Sequence, residues 1–299
     1  MSSSYVQNTP PPPYLQTIDE IDRSDTWRGL ILLFPGQKLG FLGKFGSDVA
    51  QSWGGELLIA VLNDGKGQKN LISETLDAAA AEIGDAKRKI SALVELSYEP
   101  GKGAAEVAQL VHQGSIDLVL IRSGHNATEL VNGLSCHFGI IRGSNTELDV
   151  PVKDAEIKQI LIPSAGGPNT ISALRLLQPL AQHCEISTLY VVKDSLGAQG
   201  EQQGRQIVGD ILNMADVETT VKPLIVLAED PIKGITTHAK GEYDLVLIGA
   251  TEDALSRVLY GDIVKTIVRD YHKPVIVMQR AKKTRLSLAE TLNWRLHRL

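Results

Sequence analysis

Two glycine-bearing loops carry the residue types in this sequence that could do chemistry. They are Ser164-Ala165-Gly166-Gly167 and Gly249-Ala250-Thr251-Glu252, the second followed by Gly261 and Asp262. Glycine lets a backbone approach a ligand closely, and N–H groups at the start of a helix can cradle a phosphate. Each loop follows a short apolar run, and glycine serves an ordinary strand-to-helix turn equally well. Arg122, Ser123 and Gly124 stand at the corresponding place nearer the N-terminus. Gly101 to Glu106 has two glycines of a dinucleotide loop but lacks the third, so it reads as a plain helix start.

No catalytic constellation accompanies these loops. His112, His125, His137, His183, His238, His272 and His297 are scattered, with no H-E-x-x-H, C-x-x-C or G-x-S-x-G arrangement around them. Cys136 and Cys184 lie far apart, with no Cys or His at metal-ligand spacing; they read as buried thiols in a reducing compartment. The expectation is a protein that is not an enzyme, with no cofactor and no metal.

The elements that must position the loops are short apolar runs alternating with stretches of helical period, the pattern of buried parallel strands and crossover helices. Strands are predicted at Leu30 to Phe34, Leu57 to Leu62, near Leu93 to Leu96, and at Asp117 to Ile121, with the weaker 150 to 152 as a fifth. The same order recurs. QILIPSAGG at 159 to 167 parallels GLILLFPG at 29 to 36, ISTLYVVKD at 186 to 194 parallels ELLIAVLND at 56 to 64, and DLVLIGAT at 244 to 251 parallels DLVLIRSG at 117 to 124. A shared offset of roughly 130 residues across three strands indicates duplication. Helices are predicted over Gly40 to Ser52, stopped by Gly54 and Gly55, and over Ser73 to Leu93. Two more follow over Asn169 to Gln182, with Asn169 and Thr170 capping, and near Asp262 to Tyr271, before a last strand Pro274 to Met278. The fold class is therefore α/β, as tandem doubly wound five-stranded parallel sheets. The domains are a leader or linker over 1–24, α/β units over 25–154 and 155–281, and a tail over 282–299.

Bulk properties narrow the function. The 299 residues are 43% hydrophobic and 22% charged, enough for two cores of ordinary size. A net charge of −5 argues against a nucleic-acid partner. No apolar run reaches membrane-span length, and no secretion signal opens the chain, so a cytoplasmic location is expected. The segment from Pro10 to Pro13 favours an extended link. Residues 280–299 hold six Lys and Arg against Glu290 alone, interleaved with leucines and Trp294. That basic amphipathic composition suits either docking on protein or an anionic membrane surface.

Two resemblances follow from these residues. ILIPSAGGPNTISALRLLQPLA, followed by YDLVLIGATEDALSRVLYGDIVKTIVRDYHKPVIVMQR, resembles a universal stress protein domain, and the other half resembles it more weakly. Nucleotide-binding members carry an aspartate after the first strand and a glycine-rich pattern ending in Gly-Ser/Thr after the fourth. Here Gly166, Gly167, Gly249 and Gly261 remain, but Ala165 stands at the aspartate position. Glu252 replaces the second glycine of the pattern, and Asp262 stands where the hydroxyl belongs. Carboxylates beside a polyphosphate oppose binding, so the loop reads as degenerate. The second resemblance covers 24 to 65, with Trp27-Arg28 entering the first strand, then a helix over Gly40 to Ser52 and a strand through Leu57 to Val61. It is similar to the opening of the cytoplasmic C-terminal domain of cation-chloride (Na-K-Cl type) cotransporters, in the amino acid permease superfamily. That resemblance implies two stress-protein-like halves, a homodimer, and a transmembrane domain in the parent symporter. It also implies a regulatory function on the cytoplasmic face of the cell membrane. The alternative is a free-standing tandem universal stress protein that senses ATP or another nucleotide. A nucleotide hydrolase has only the loop geometry in its favour.

Overall fold

The computed structural model describes residues 14–15, 26–65, 69–86, 90–99, 101–124 and 126–281. The leader beyond Tyr14 and Leu15, His125, and the basic tail with His297 lie outside the described residues. The strands are β1 (Tyr14–Leu15), β2 (Arg28–Leu33), β3 (Glu56–Asn63), β4 (Ile90–Ser97), β5 (Leu118–Arg122) and β6 (His137–Arg142) in the first half. The second half has β7 (Gln159–Ser164), β8 (Glu185–Lys193), β9 (Val221–Ala228), β10 (Leu245–Gly249) and β11 (Val275–Gln279). The helices are α1 (Gly40–Ser52), α2 (Lys69–Asp85), α3 (Gly103–Gln113), α4 (Ala127–Val131), α5 (Asn145–Leu148), α6 (Pro168–Leu177), α7 (Gly197–Ala215), α8 (Pro231–Ala239), α9 (Leu255–Leu259) and α10 (Asp262–Asp270).

The strands form one 11-stranded sheet in the order β1-β4-β3-β2-β5-β6-β11-β10-β7-β8-β9. Each half is doubly wound, with its first strand beside its fourth, and is parallel within itself. The halves meet where β6 and β11 pair antiparallel, from Arg142 opposite Val275 to Phe138 opposite Gln279. Alternation along the buried strands sends Ile31 and Leu33 to one face and Leu30 and Leu32 to the other. One apolar cluster lies under α1, α2, α6 and α7, the other under α3, α4, α8, α9 and α10, and each draws residues from both halves. Trp53 Nε1 donates to Leu176 O across the halves at 2.8 Å.

The duplication, the parallel sheets and α1 agree with the sequence reading, and three features correct it. The fifth strand of the first half is β6, not residues 150 to 152, which lie in the link between β6 and β7. Helix α2 ends at Asp85, so Leu93 belongs to β4 rather than to the predicted Ser73 to Leu93 helix. The cap of α6 is Gly167 with Pro168 in the first turn, in place of Asn169 and Thr170, and the last turn tightens to a 3₁₀ segment over Gln178–Gln182. Helix α7 and strand β9 are among the elements with no sequence counterpart. Helix α7 buries Gly204, Ile207, Val208, Ile211, Leu212 and Ala215 on one stripe, and β9 begins Val-Lys-Pro, a poor strand signal.

Candidate functional site

In doubly wound sheets the ligand crevice opens beyond the carboxyl ends of the first and fourth strands, here β7 with β10 and β2 with β5. At the first of these, β7 runs into Ala165, which is exposed, and Gly166, whose φ of +80° is the left-handed turn glycine permits. Gly166 N–H donates to Ser164 Oγ at 3.0 Å. Gly167 then caps α6. Gly249, at the end of β10, lies hard against the first turn of α6. A Cβ on it would stand 3.0 Å from Asn169 Cβ and 3.1 Å from Thr170 N. Asn169 is buried, and its Oδ1 accepts the Arg280 N–H at 3.2 Å. The protein's own backbone thus fills the space beside Gly249.

The remaining predicted residues serve the fold. Glu252 lies in a 3₁₀ turn over Glu252–Ala254, and Gly261 caps α10 where a Cβ would meet Arg257 O at 2.5 Å. Asp262 is exposed in the first turn of α10, where a carboxylate complements the positive end of the helix dipole. Gly166, Gly167 and Gly249 come together through β7–β10 pairing and the α6 contact, while Gly261 and Asp262 belong to a helix that packs on α8 and β11.

The open crevice is at the second crossing, in the first half. A cleft of about 420 Å³ is lined by Phe34 and Pro35 after β2, Gln37, Leu62 and Asp64 at the end of β3, Tyr98 after β4, and Gly124 and Asn126 after β5. Gln37 is held by the Phe34 N–H, which donates to Gln37 Oε1 at 3.1 Å. The Phe34 ring lies on Gly124, where a Cβ would be 3.3 Å from Phe34 Cε2. Tyr98 packs over Gly103 at the head of α3, again closer than a Cβ would allow. Burial raises the Tyr98 hydroxyl pKa, and the charges of Asp64 and Glu129 raise it further, which marks a negative local field. The described lining contains no Lys or Arg. Arg122 instead donates to Asp149 Oδ1 and Asn145 Oδ1, both at 2.7 Å, while Ser123 N–H donates to Ile141 O. Two aromatic rings and two carboxamides suit a planar, uncharged group better than a polyphosphate.

Sequence reading missed this cleft because it followed glycines. The signal available was Phe34, Asp64 and Tyr98, one each after the first three strands. Arg28, of the Trp27-Arg28 pair, is buried: its Nη1 donates to Gly114 O at 3.2 Å and its Nε is 3.8 Å from Glu56 Oε2. Both cysteines are buried thiols. Burial first of all pushes Cys136 up to about 12 and Cys184 to about 11. Burial, then Arg280, lowers the His137 pKa. Among the described residues no group of three or more His, Cys, Asp or Glu is placed to hold a metal, and no helix is long and apolar enough to cross a membrane.

The fold is a mixed α/β, mostly parallel sheet of the universal stress protein type, present twice in one chain. No family model matches the chain. A universal stress protein of Methanocaldococcus jannaschii is 28% identical over 144 residues, 42% of this chain and 84% of that one. Among solved structures, the cytoplasmic domain of a prokaryotic cation chloride cotransporter superposes with a TM-score of 0.58 at 12% identity, covering 89% of this chain and 99% of that one. A putative universal stress protein from Pseudomonas aeruginosa UCBPP-PA14 gives a TM-score of 0.52 at 12% identity, covering 94% and 99%.

Proposed function

We propose that this chain is the cytosolic regulatory and dimerisation domain of a cation-chloride cotransporter, without catalytic activity of its own, held at the cytoplasmic face of the membrane by the transporter's membrane domain. The observation that carries the reading is the superposition with a cotransporter cytoplasmic domain across 89% of this chain and 99% of that domain. The tight packing of α6 on Gly249 and the Tyr98 cleft, whose described lining holds Asp64 and no Lys or Arg, support a domain that has lost the nucleotide chemistry of its fold. The test is fractionation of the source cells, with detection by an antibody raised against residues 155–281. An antigen in the membrane fraction, released only by detergent, supports the reading; an antigen wholly in the soluble fraction overturns it.

The second reading, a tandem universal stress protein sensing a nucleotide, draws on the 28% identity with a universal stress protein. Calorimetric titration of the purified chain with magnesium and ATP separates the two. Micromolar binding favours the sensor, and no heat of binding favours the cotransporter domain.

A further inference from the structure

The two halves treat their outermost strands differently. In the first half β4 is flanked by β1, with Tyr14 beside Leu93 and Leu15 beside Val94, in parallel. In the second half the equivalent strand is β9. The apolar run of β4 includes Leu93, Val94 and Leu96 and that of β9 includes Leu224, Ile225 and Leu227, and β9 ends the described sheet. The first set is 0 to 2% exposed, whereas Leu224 and Ile225 are half-buried and Leu227 is 42% exposed. Of the five exposed large hydrophobic residues among those described, Leu196, Leu227 and Ile232 lie at the carboxyl ends of β8 and β9. Lys222 and Pro223 protect the start of this edge in the usual way, since proline offers no N–H and lysine resists burial. The run Leu224 to Leu227 has no such protection.

We propose that β9 is the interface with a second copy of this chain, the two β9 strands pairing antiparallel about a two-fold axis. The proposal deepens the dimerisation part of the reading above and rests on it. Charge selects this occupant. Antiparallel self-pairing brings the Lys222 end of each strand against the Glu229 and Asp230 end of the other, so the exposed charges are complementary across the axis. Within its own chain Lys222 pairs with exposed Glu185 at 3.4 Å and Glu229 with Lys233 at 2.8 Å, surface pairs that rearrange at little cost. Pro223 sets the register. A proline in a strand turns its missing N–H away from the sheet, so positions 223, 225 and 227 offer their peptide groups outward. Two-fold pairing then matches Ile225 with Leu227 of the other copy and sets Val226 on the axis, facing itself. The chain already joins its own two halves by an antiparallel pair, β6 with β11.

The test is the mass of the whole chain by sedimentation at micromolar concentration, for the native protein and four variants. The native chain is expected to be a dimer, and Leu227→Lys to raise its dissociation constant by about tenfold or more. Lys222→Glu is expected to weaken the dimer, and adding Glu229→Lys to restore it, a rescue that a folding defect would not show. Val226→Cys is expected to form a disulfide dimer under mild oxidation, since a pair on the axis has Cα atoms roughly 4.5 Å apart, within disulfide range. A dimer unaffected by Leu227→Lys, or the absence of both the rescue and the disulfide, overturns the β9 interface while leaving dimerisation intact. A native chain that stays monomeric overturns both.

Discussion

Asp244 Oδ2 accepts the backbone N–H groups of Lys158 at 2.7 Å and Gln159 at 2.9 Å, tying the start of the fourth strand of the second half to the start of its first. Asp117 does the same in the first half, accepting the Arg28 N–H at 2.9 Å. The main chains repeat the match, with Asp117 N–H donating to Arg28 O and Asp244 N–H to Gln159 O, each at 2.9 Å. The aspartate that opens both copies of Asp-Leu-Val-Leu-Ile is thus a device for holding two parallel strands in register. Replacing Asp244 by Ala leaves those donors without their acceptor, and the expected loss is about 1–3 kcal/mol. Urea denaturation of Asp244→Ala against the native chain measures it, and an unchanged midpoint would refute the role.

Asp117 also predicts a pH dependence. Burial raises its carboxyl pKa above the usual 3.8, partly offset by the bond from Arg28 N–H. The folded state therefore holds the proton more tightly than the unfolded chain. This carboxyl favours folding at the acid end, and that contribution is lost as pH rises from near 3.8 through the raised folded value. Asp117→Asn keeps an acceptor for Arg28 and removes the titration. Between pH 3.5 and 6, about the range over which a raised carboxyl titrates, its stability should fall less with rising pH than that of the native chain. Parallel slopes in the two proteins would count against the assignment.

The thiols give a sharper test. With Cys136 pushed up to about 12 and Cys184 to about 11, and both buried, neither is a thiolate at neutral pH. A thiol-specific chromogenic reagent at pH 7.5 is expected to leave the native chain unlabelled for hours, then to label both cysteines in denaturant. Rapid labelling of either one in the native protein would show that its segment opens.

At the seam between the halves, Gly139 of β6 sits where a Cβ would lie 2.9 Å from Ile276 Cγ2 and 3.1 Å from Leu120 Cδ2. Gly139→Val is expected to destabilise the chain by about 1–3 kcal/mol through overpacking. The sheet seam should yield first, so amide exchange should rise most in β6 and β11. Uniform protection in those strands would contradict this.

The sequence by itself determined the repeated unit. Leu30 to Leu33, Leu57 to Leu62 and the two Asp-Leu-Val-Leu-Ile runs are apolar because parallel strands are covered on both faces, a local requirement visible in any short window. Helix α1 was legible for the same reason, its bounds marked by Gly40 and by Gly54. Tertiary structure alone decided the rest. His-Phe-Gly-Ile-Ile-Arg at β6 becomes a strand by pairing with β5 on one side and β11 on the other, a pairing more than a hundred residues distant that no local pattern carries. Of the glycines that looked like a phosphate loop, Gly249 is explained by the closeness of α6 to β10, which only packing creates, and Gly166 by its left-handed φ of +80°. The cleft at Phe34, Asp64 and Tyr98 gathers residues from separate strand ends, brought to one place because the sheet reverses its order there.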